Sequence, residues 1–263
     1  MYRESAPSSL LQRRVVCVWR HEPQGAAHDS AVTIVPDGCV DIVWTGRALR
    51  IAGPDTRPVL EPLDALTQVA GIRFHPGAAN GVLGIPTSAL CDTRVALEEL
   101  WGDEARRLHD ALHHAPPELV RTLLQDALLA RRASWTAVDP MIQALVTRLR
   151  FAGAGPDLRL SALARELGSS ERQLHRRCAS AVGYGPKLLA RILRVQRVRK
   201  ALRSAPHTSL AALASQHGYA DQAHLAHDTA QLFGTTPSRM RSEALASATK
   251  KRASHQMSDF DKP

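Results

Sequence analysis

What this chain lacks narrows its function first. Its four cysteines, Cys17, Cys39, Cys91 and Cys178, are widely scattered, with no C-x-x-C pair. That usage implies no structural disulfide and suits a reducing compartment. No apolar run approaches the roughly 20 residues that cross a bilayer, and Met1–Ser9 is polar, without the apolar segment of a secretion signal. The expectation is a cytoplasmic protein with no membrane partner. Catalytic signatures are missing too: there is no G-x-S-x-G and no P-loop, and no Ser-His-Asp or Cys-His set assembles from a recognisable motif. Neither a catalytic residue nor a cofactor is expected. Cys17, Cys39, His21, His28 and His75 are candidate metal ligands by type only. No two have tight ligand spacing, so isolated thiols and imidazoles explain them better, and no metal site is expected.

Net charge is +9 over 263 residues, and it is unevenly spread. Residues 1–150 carry 16 basic against 17 acidic side chains, and residues 151–263 carry 18 against 8. A neutral half joined to a basic half fits one module that meets a polyphosphate and one that does not. A basic face could equally be only a solvated surface, so charge alone does not decide.

The neutral half reads as β and then α. Val15–Trp19, Leu49–Ile51 and Val69–Phe74 are strand candidates. Val32–Val35 and Val40–Trp44 flank Pro36-Asp37-Gly38-Cys39, which predicts a hairpin with Asp37 as turn former. After Asp92 the period turns helical. Leu97, Leu100, Trp101, Leu108 and Leu112 share one face of a helix stopped by Pro116-Pro117, and Leu119, Leu123, Leu124, Ala127 and Leu128 form a second stripe. Asp139-Pro140 starts a third helix through Leu149. Gly153-Ala154-Gly155-Pro156 reads as a linker, and the tail after Ala246 as disordered. The overall class is α+β: residues 1–152 a small β-sandwich or open barrel with covering helices, 153–245 all-α, and 246–263 a tail.

The basic half repeats itself. Leu160, Leu163, Ala164 and Gly168 spell L-x-x-L-A-x-x-x-G, and Leu210, Leu213, Ala214 and Gly218 spell it again; each copy closes with G-x-x-P, at Gly183–Pro186 and Gly234–Pro237. A short helix ending at a glycine turn, with a second helix packed across it, is a helix-turn-helix, and here there are two. Ser169 or Ser170 caps the first reading helix, with Glu171 favouring that helix start electrostatically. With Leu174 inward, Arg172, Gln173, His175, Arg176 and Arg177 look out; Arg, Gln and His are all suited to base edges or phosphate. Between the heads, Pro186–Ser204 predicts one long helix. Leu188, Ile192, Val195, Val198 and Leu202 make its stripe, and Arg191, Arg194, Arg197, Arg199 and Lys200 cover the rest. It reads as a stiff basic rod setting the heads about 34 Å apart, one turn of duplex. The second turn is one residue longer, since Ala214 to Leu225 spans eleven positions against ten from Ala164 to Leu174. Its outward set, Gln222, Ala223, His224 and His227, holds no Arg, which predicts weaker phosphate attraction there.

At these residues the chain resembles the AraC/XylS family of transcription regulators. The run Gly218-Tyr219-Ala220-Asp221-Gln222-Ala223-His224-Leu225, followed by Phe233-Gly234-Thr235-Thr236-Pro237, carries the resemblance, which covers about Leu158 to Arg241. It implies a seven-helix domain that reads DNA with one helix of each unit. By position, base contacts would fall on Arg172, His175 and Arg176 in one head and on Gln222, Ala223 and His227 in the other. Cys178 and Thr229 stand where that family usually packs Phe, and His227 where Arg is common. Pro36–Asp41, Gly71–Gly77 and Leu97–Gly102 resemble β-rich regulatory domains found ahead of such readers. Ser170, Arg172, Gln173, His175, Arg176, Gln222, Ala223, His224 and His227 are thus the candidate DNA-binding residues. The expected partners are promoter DNA, a small-molecule effector, RNA polymerase and a second copy of the chain. Trp19, Trp44 and Trp101 are candidates for an effector pocket or for core. The rival reading is a DNA-directed enzyme or repair protein with a methyl-accepting cysteine; dispersed cysteines argue against it.

Overall fold

The computed structural model describes residues 2–22, 30–63, 68–151 and 159–246; the expected linker Gly153–Pro156, the tail after Ala246 and His28 lie outside them. The amino-terminal half is built on a six-stranded antiparallel sheet. Its strands are β1 (Tyr2–Ser5), β2 (Val15–His21), β4 (Asp41–Trp44), β5 (Leu49–Ala52), β7 (Val69–Phe74) and β8 (Arg94–Ala96), in the order β1-β2-β7-β4-β5-β8. A separate pair, β3 (Ser30–Ile34) and β6 (Val59–Leu63), completes the β region.

This topology corrects the expected hairpin across Pro36–Cys39. β3 pairs with β6, and β4 pairs with β5 and β7, so the two runs flanking the turn belong to different sheets. Asp37 is nevertheless a turn former: its Oδ1 accepts a 2.8 Å bond from the Cys39 amide. The turn changes sheets instead of reversing one.

One face of the large sheet is apolar. Val18, Ile42, Ile51, Ile72 and Phe74 are buried there with Trp44, Trp101, Leu108, Leu124 and Leu128. The covering residues come from α2 (Glu98–Trp101), α3 (Asp103–His114) and α4 (Val120–Ala130). The first helical stripe is therefore two helices, broken at Gly102 with φ 52 and ψ −128, a conformation that side chains avoid. Trp44 and Trp101 are core. Trp19 lies across the opposite face, over Gly71, where an added Cβ would sit 2.6 Å from the indole. There Trp19 Nε1 donates to Asp41 Oδ2 at 3.0 Å, and Arg73 grips the same carboxylate through Nε and Nη2. Burial pushes the Asp41 carboxyl up, and the Arg73 and Trp19 bonds oppose that shift. Between β7 and β8 run α1 (Asn80–Leu83) and a 3-10 turn, Thr87–Leu90.

The second half is helical: α5 (Pro140–Phe151), α6 (Leu160–Glu166), α7 (Glu171–Val182), α8 (Pro186–Ser204), α9 (Leu210–Gln216), α10 (Gln222–Phe233) and α11 (237–246). Its core gathers residues from α5 through α11, including Ile142, Leu145, Leu174, Val195, Leu225 and Met240. Although α5 precedes the expected linker, its buried residues join this second core. A bidentate ion pair anchors it. Asp139 accepts from the Met141 and Ile142 amides at the start of α5, at 2.9 and 3.3 Å, and receives Arg177 Nε and Nη2 of α7 at 2.6 and 2.5 Å. Arg177, expected on the outward face of its helix, is thus spent inside the domain.

Burial pushes the Asp139 carboxyl up, but Arg177 and the two amides outweigh it and hold it below the usual carboxylate range. A depressed folded pKa makes the charge stabilising above about pH 4, with that contribution lost as pH falls through the folded value. Asp139→Asn is therefore expected to lower stability by about 0.5–1 kcal/mol at neutral pH, discounted for partial exposure. In urea unfolding, its gap from the unsubstituted protein should close as pH drops towards 3; a gap constant with pH would exclude the ion pair as its cause.

Candidate nucleic-acid interface

Both reading helices are set by their ends. At α7, Ser170 accepts the Gln173 amide at 3.2 Å while Gln173 Oε1 turns back to the Ser170 amide and to Ser169 Oγ, a reciprocal capping box. At α10, Asp221 accepts the His224 amide at 2.7 Å. Gly183 and Gly234 close the two helices in left-handed conformation, with φ 106 and 64. Four residues separate α6 from α7 and five separate α9 from α10, the one-residue difference expected from the motif offsets.

In the first head, Leu174 and Cys178 are fully buried and Ser170, Arg172, Gln173, His175 and Arg176 are exposed. Arg172, Gln173, His175 and Arg176 line a shallow open recess on the surface of α7. Neither Arg172 nor Arg176 makes an ion pair with a described residue, so two like charges one turn apart stand uncompensated. The His175 ring lies against Gly185, the residue that begins α8. Gln173, by contrast, is partly committed to its own cap.

In the second head, Gln222, Ala223, His224 and His227 are exposed, and Leu225, Asp228, Thr229 and Leu232 are buried. No Lys or Arg occurs in α10. The His224 ring stands edge-on to Tyr219, centroids 5.1 Å apart. At the two positions where the resemblance leads one to expect Phe, Cys178 fills its core site. Thr229 satisfies its buried hydroxyl by donating to the Leu225 and Ala226 carbonyls at 2.6 and 3.1 Å.

The structure revises the basic rod. α8 is buried on several sides at once, through Leu189, Ile192, Leu193, Val195, Val198 and Leu202. Four of its cations turn to the protein: Arg191 grips the buried Asp228 at 2.7 Å, Arg194 lies over Tyr219, Arg197 donates to the Leu149 carbonyl, and Arg199 lies over Phe233. Lys187, Lys200 and Arg203 stay exposed. The sequence reading missed Asp228 and, although it placed Asp139 at the start of a helix, missed the pairing of Asp139 with Arg177. Asp228 carries a usable signal: with Leu225 and Leu232 it falls on the inward stripe, where a carboxylate needs a cationic partner.

The cysteines bear on the rival chemistry. Burial pushes the thiols of Cys17 and Cys178 up to about 12 and that of Cys91 to about 11, and Cys39 is raised as well. A methyl acceptor needs its thiolate, which is the opposite shift.

Comparison with known proteins matches residues 163–243 to the model of a helix-turn-helix domain, and residues 3–96 to that of a domain of unknown function (DUF6597). The curated proteins give no match. Among solved structures, the chain is similar to ToxT from Vibrio cholerae O395 at 8% identity and TM-score 0.44, over 85% of this chain and 95% of that one. It is also similar to the C-terminal domain of AraT, a response regulator from Geobacillus stearothermophilus, at 19% identity and TM-score 0.39, over 41% and 88%. The helix-turn-helix match spans most of both reading units and the signature run from Gly218 to Pro237, and it identifies this half of the chain as a helix-turn-helix domain.

Proposed function

We propose that the chain is a DNA-binding transcription regulator of the AraC type, reading promoter DNA chiefly with the first turns of α7, through Arg172, His175 and Arg176, and less strongly with Gln222, Ala223 and His227 of α10. Ser170, Gln173 and His224 line the same surfaces and serve both to shape the helix starts and to meet the backbone. The observation that carries this reading is the pair Arg172 and Arg176: exposed, without an acidic partner among the described residues, and held on a capped helix. Two repelling guanidiniums on one turn gain most from a guanine edge or phosphates.

The amino-terminal domain is the regulatory part, taking a small-molecule effector, pairing subunits, or both, in a cytoplasmic setting where the regulator meets RNA polymerase. Its near-neutral charge and its match to a domain distinct from the reader support that division. The packing of α5 supports a boundary ahead of Asp139, with 2–138 regulatory and 139–246 DNA-reading, in place of one at residue 153. An effector would act by favouring one arrangement of the two parts over another. No catalytic step is assigned, and the raised thiols weigh against a methyl-accepting role.

Arg176→Ala should weaken binding to the cognate duplex by about 1–3 kcal/mol, with a smaller loss on unrelated duplex. Equal loss on both, by electrophoretic mobility shift, would make Arg176 a phosphate contact, and no loss would remove it from the interface. His227→Arg should act in reverse on the weaker head. Affinity is expected to rise and the salt slope to steepen by about one counterion; an unchanged slope would show that position 227 does not approach the backbone.

A further inference from the structure

The two reading helices end against the same short loop of the amino-terminal domain. Residues 53–58 connect β5 to β6. A Cβ placed on Gly183, the last-turn glycine of α7, would lie 2.5 Å from Pro54 Cγ. A Cβ on Gly234, the corresponding glycine of α10, would lie 3.0 Å from Pro58 Cγ. Two prolines four residues apart thus press on the two C-terminal caps, and glycine at each cap permits both the left-handed turn and the close approach.

The loop is stiff. Arg94 holds Asp55 through both oxygens at 2.9 Å and reaches Glu61 on β6, also at 2.9 Å. Asp92 accepts from the Thr56 amide and hydroxyl, both at 2.7 Å, and its own amide donates to the Pro54 carbonyl at 3.2 Å. Proline itself fixes φ at both contact points. Nearby contacts lock the domains in the same relation: Gln196 Nε2 of α8 donates to the Pro36 carbonyl at 2.7 Å, and Gly38 packs on Leu189. These contacts lie at the carboxyl ends of α7 and α10. The first turns, with Arg172, His175, Arg176, Gln222 and His227, remain exposed. A docked loop therefore leaves both reading faces open.

We propose that the β5–β6 loop, through Pro54 and Pro58, is a brace that fixes the two recognition helices relative to one another. Through it the amino-terminal domain helps set which half-site spacing the regulator accepts. Pro54 and Pro58 are positioning residues: they touch no DNA and act through the helices they abut. The inference rests on the two-headed reading above and deepens it.

The test uses the full chain and a duplex that it enriches from a random pool. One base pair is then inserted between the two protected half-sites, turning one by about a tenth of a helical turn. The unsubstituted protein should bind the inserted duplex about tenfold more weakly, a change of the size that a mismatched base pair brings. The Pro54→Gly, Pro58→Gly double variant should lose much of that discrimination, accepting both duplexes within about threefold. Equal discrimination by variant and parent would overturn the brace. If the parent enriches no duplex, the two-headed reading fails before the brace is in question.

A second variant guards against a loop that merely misfolds. Pro58 Cβ lies 3.7 Å from the Cβ position on Gly234, within the span that a disulfide bridges. Because Cys at position 234 strains the left-handed cap in either redox state, the oxidised and reduced forms of Pro58→Cys, Gly234→Cys protein are compared with each other, and oxidation should leave both affinity and insertion penalty unchanged. Loss of binding on oxidation, restored by a thiol reductant, would mean that the loop must release α10 before DNA is bound, contradicting the brace.

Discussion

The burial of α8 is the constraint on which the DNA-reading half depends. One 19-residue helix, about 28 Å long, supplies apolar residues to the core beneath both heads and touches the amino-terminal domain through Leu189 and Gln196. Because Ile192, Val195 and Val198 are fully buried, rotation of either head about α8 is resisted by the packing it would disturb, and the Pro54 and Pro58 contacts add to that resistance. Its arginines reinforce that fixity. Arg191 neutralises the buried Asp228, and Arg197 ties α8 to the last turn of α5. The helix is stiff and basic, as its sequence suggests, but its charge is largely spent holding the protein together.

The charge available to a polyanion is consequently concentrated. With Arg177 committed to Asp139 and four arginines of α8 turned inward, Arg172 and Arg176 are the cations that stand out on a reading face. The second head offers amide and imidazole groups. Under the proposed reading such an interface would be asymmetric, with one head supplying electrostatic grip and the other finer contacts. Most nonspecific affinity would then come from one side of the site.

Local signals were legible in the sequence because their causes are local. The serine cap of α7, the glycines that end α7 and α10, the extra residue in the second turn and the limits of α8 follow from side chains within a few positions of each other. Four strands of the large sheet, β2, β4, β5 and β7, were likewise recoverable from β-branched runs, whereas its edge strands β1 and β8 carry no such run. What escaped was long-range. Pro36–Cys39 looks like a hairpin turn because a turn's chemistry is the same whether the following strand pairs back or joins another sheet. Gly102 breaks a helical stripe whose apolar period runs on through it. Arginines on α8 and Arg177 share a phase with solvent, and only the folded chain shows that carboxylates, carbonyls and aromatic rings wait there. The Pro54 and Pro58 contacts are beyond any pattern, since each joins residues more than a hundred positions apart.

Two heads held rigidly by α8 should leave a matched mark on DNA. Hydroxyl-radical footprinting of the full chain on a duplex that it selects is the most direct measurement. Two protected windows on one face of the helix, centred about one turn apart, with the stronger protection disappearing in Arg172→Ala, Arg176→Ala protein, are expected. A single window, or protection that follows no sequence and spreads evenly along the duplex, would contradict paired reading by α7 and α10.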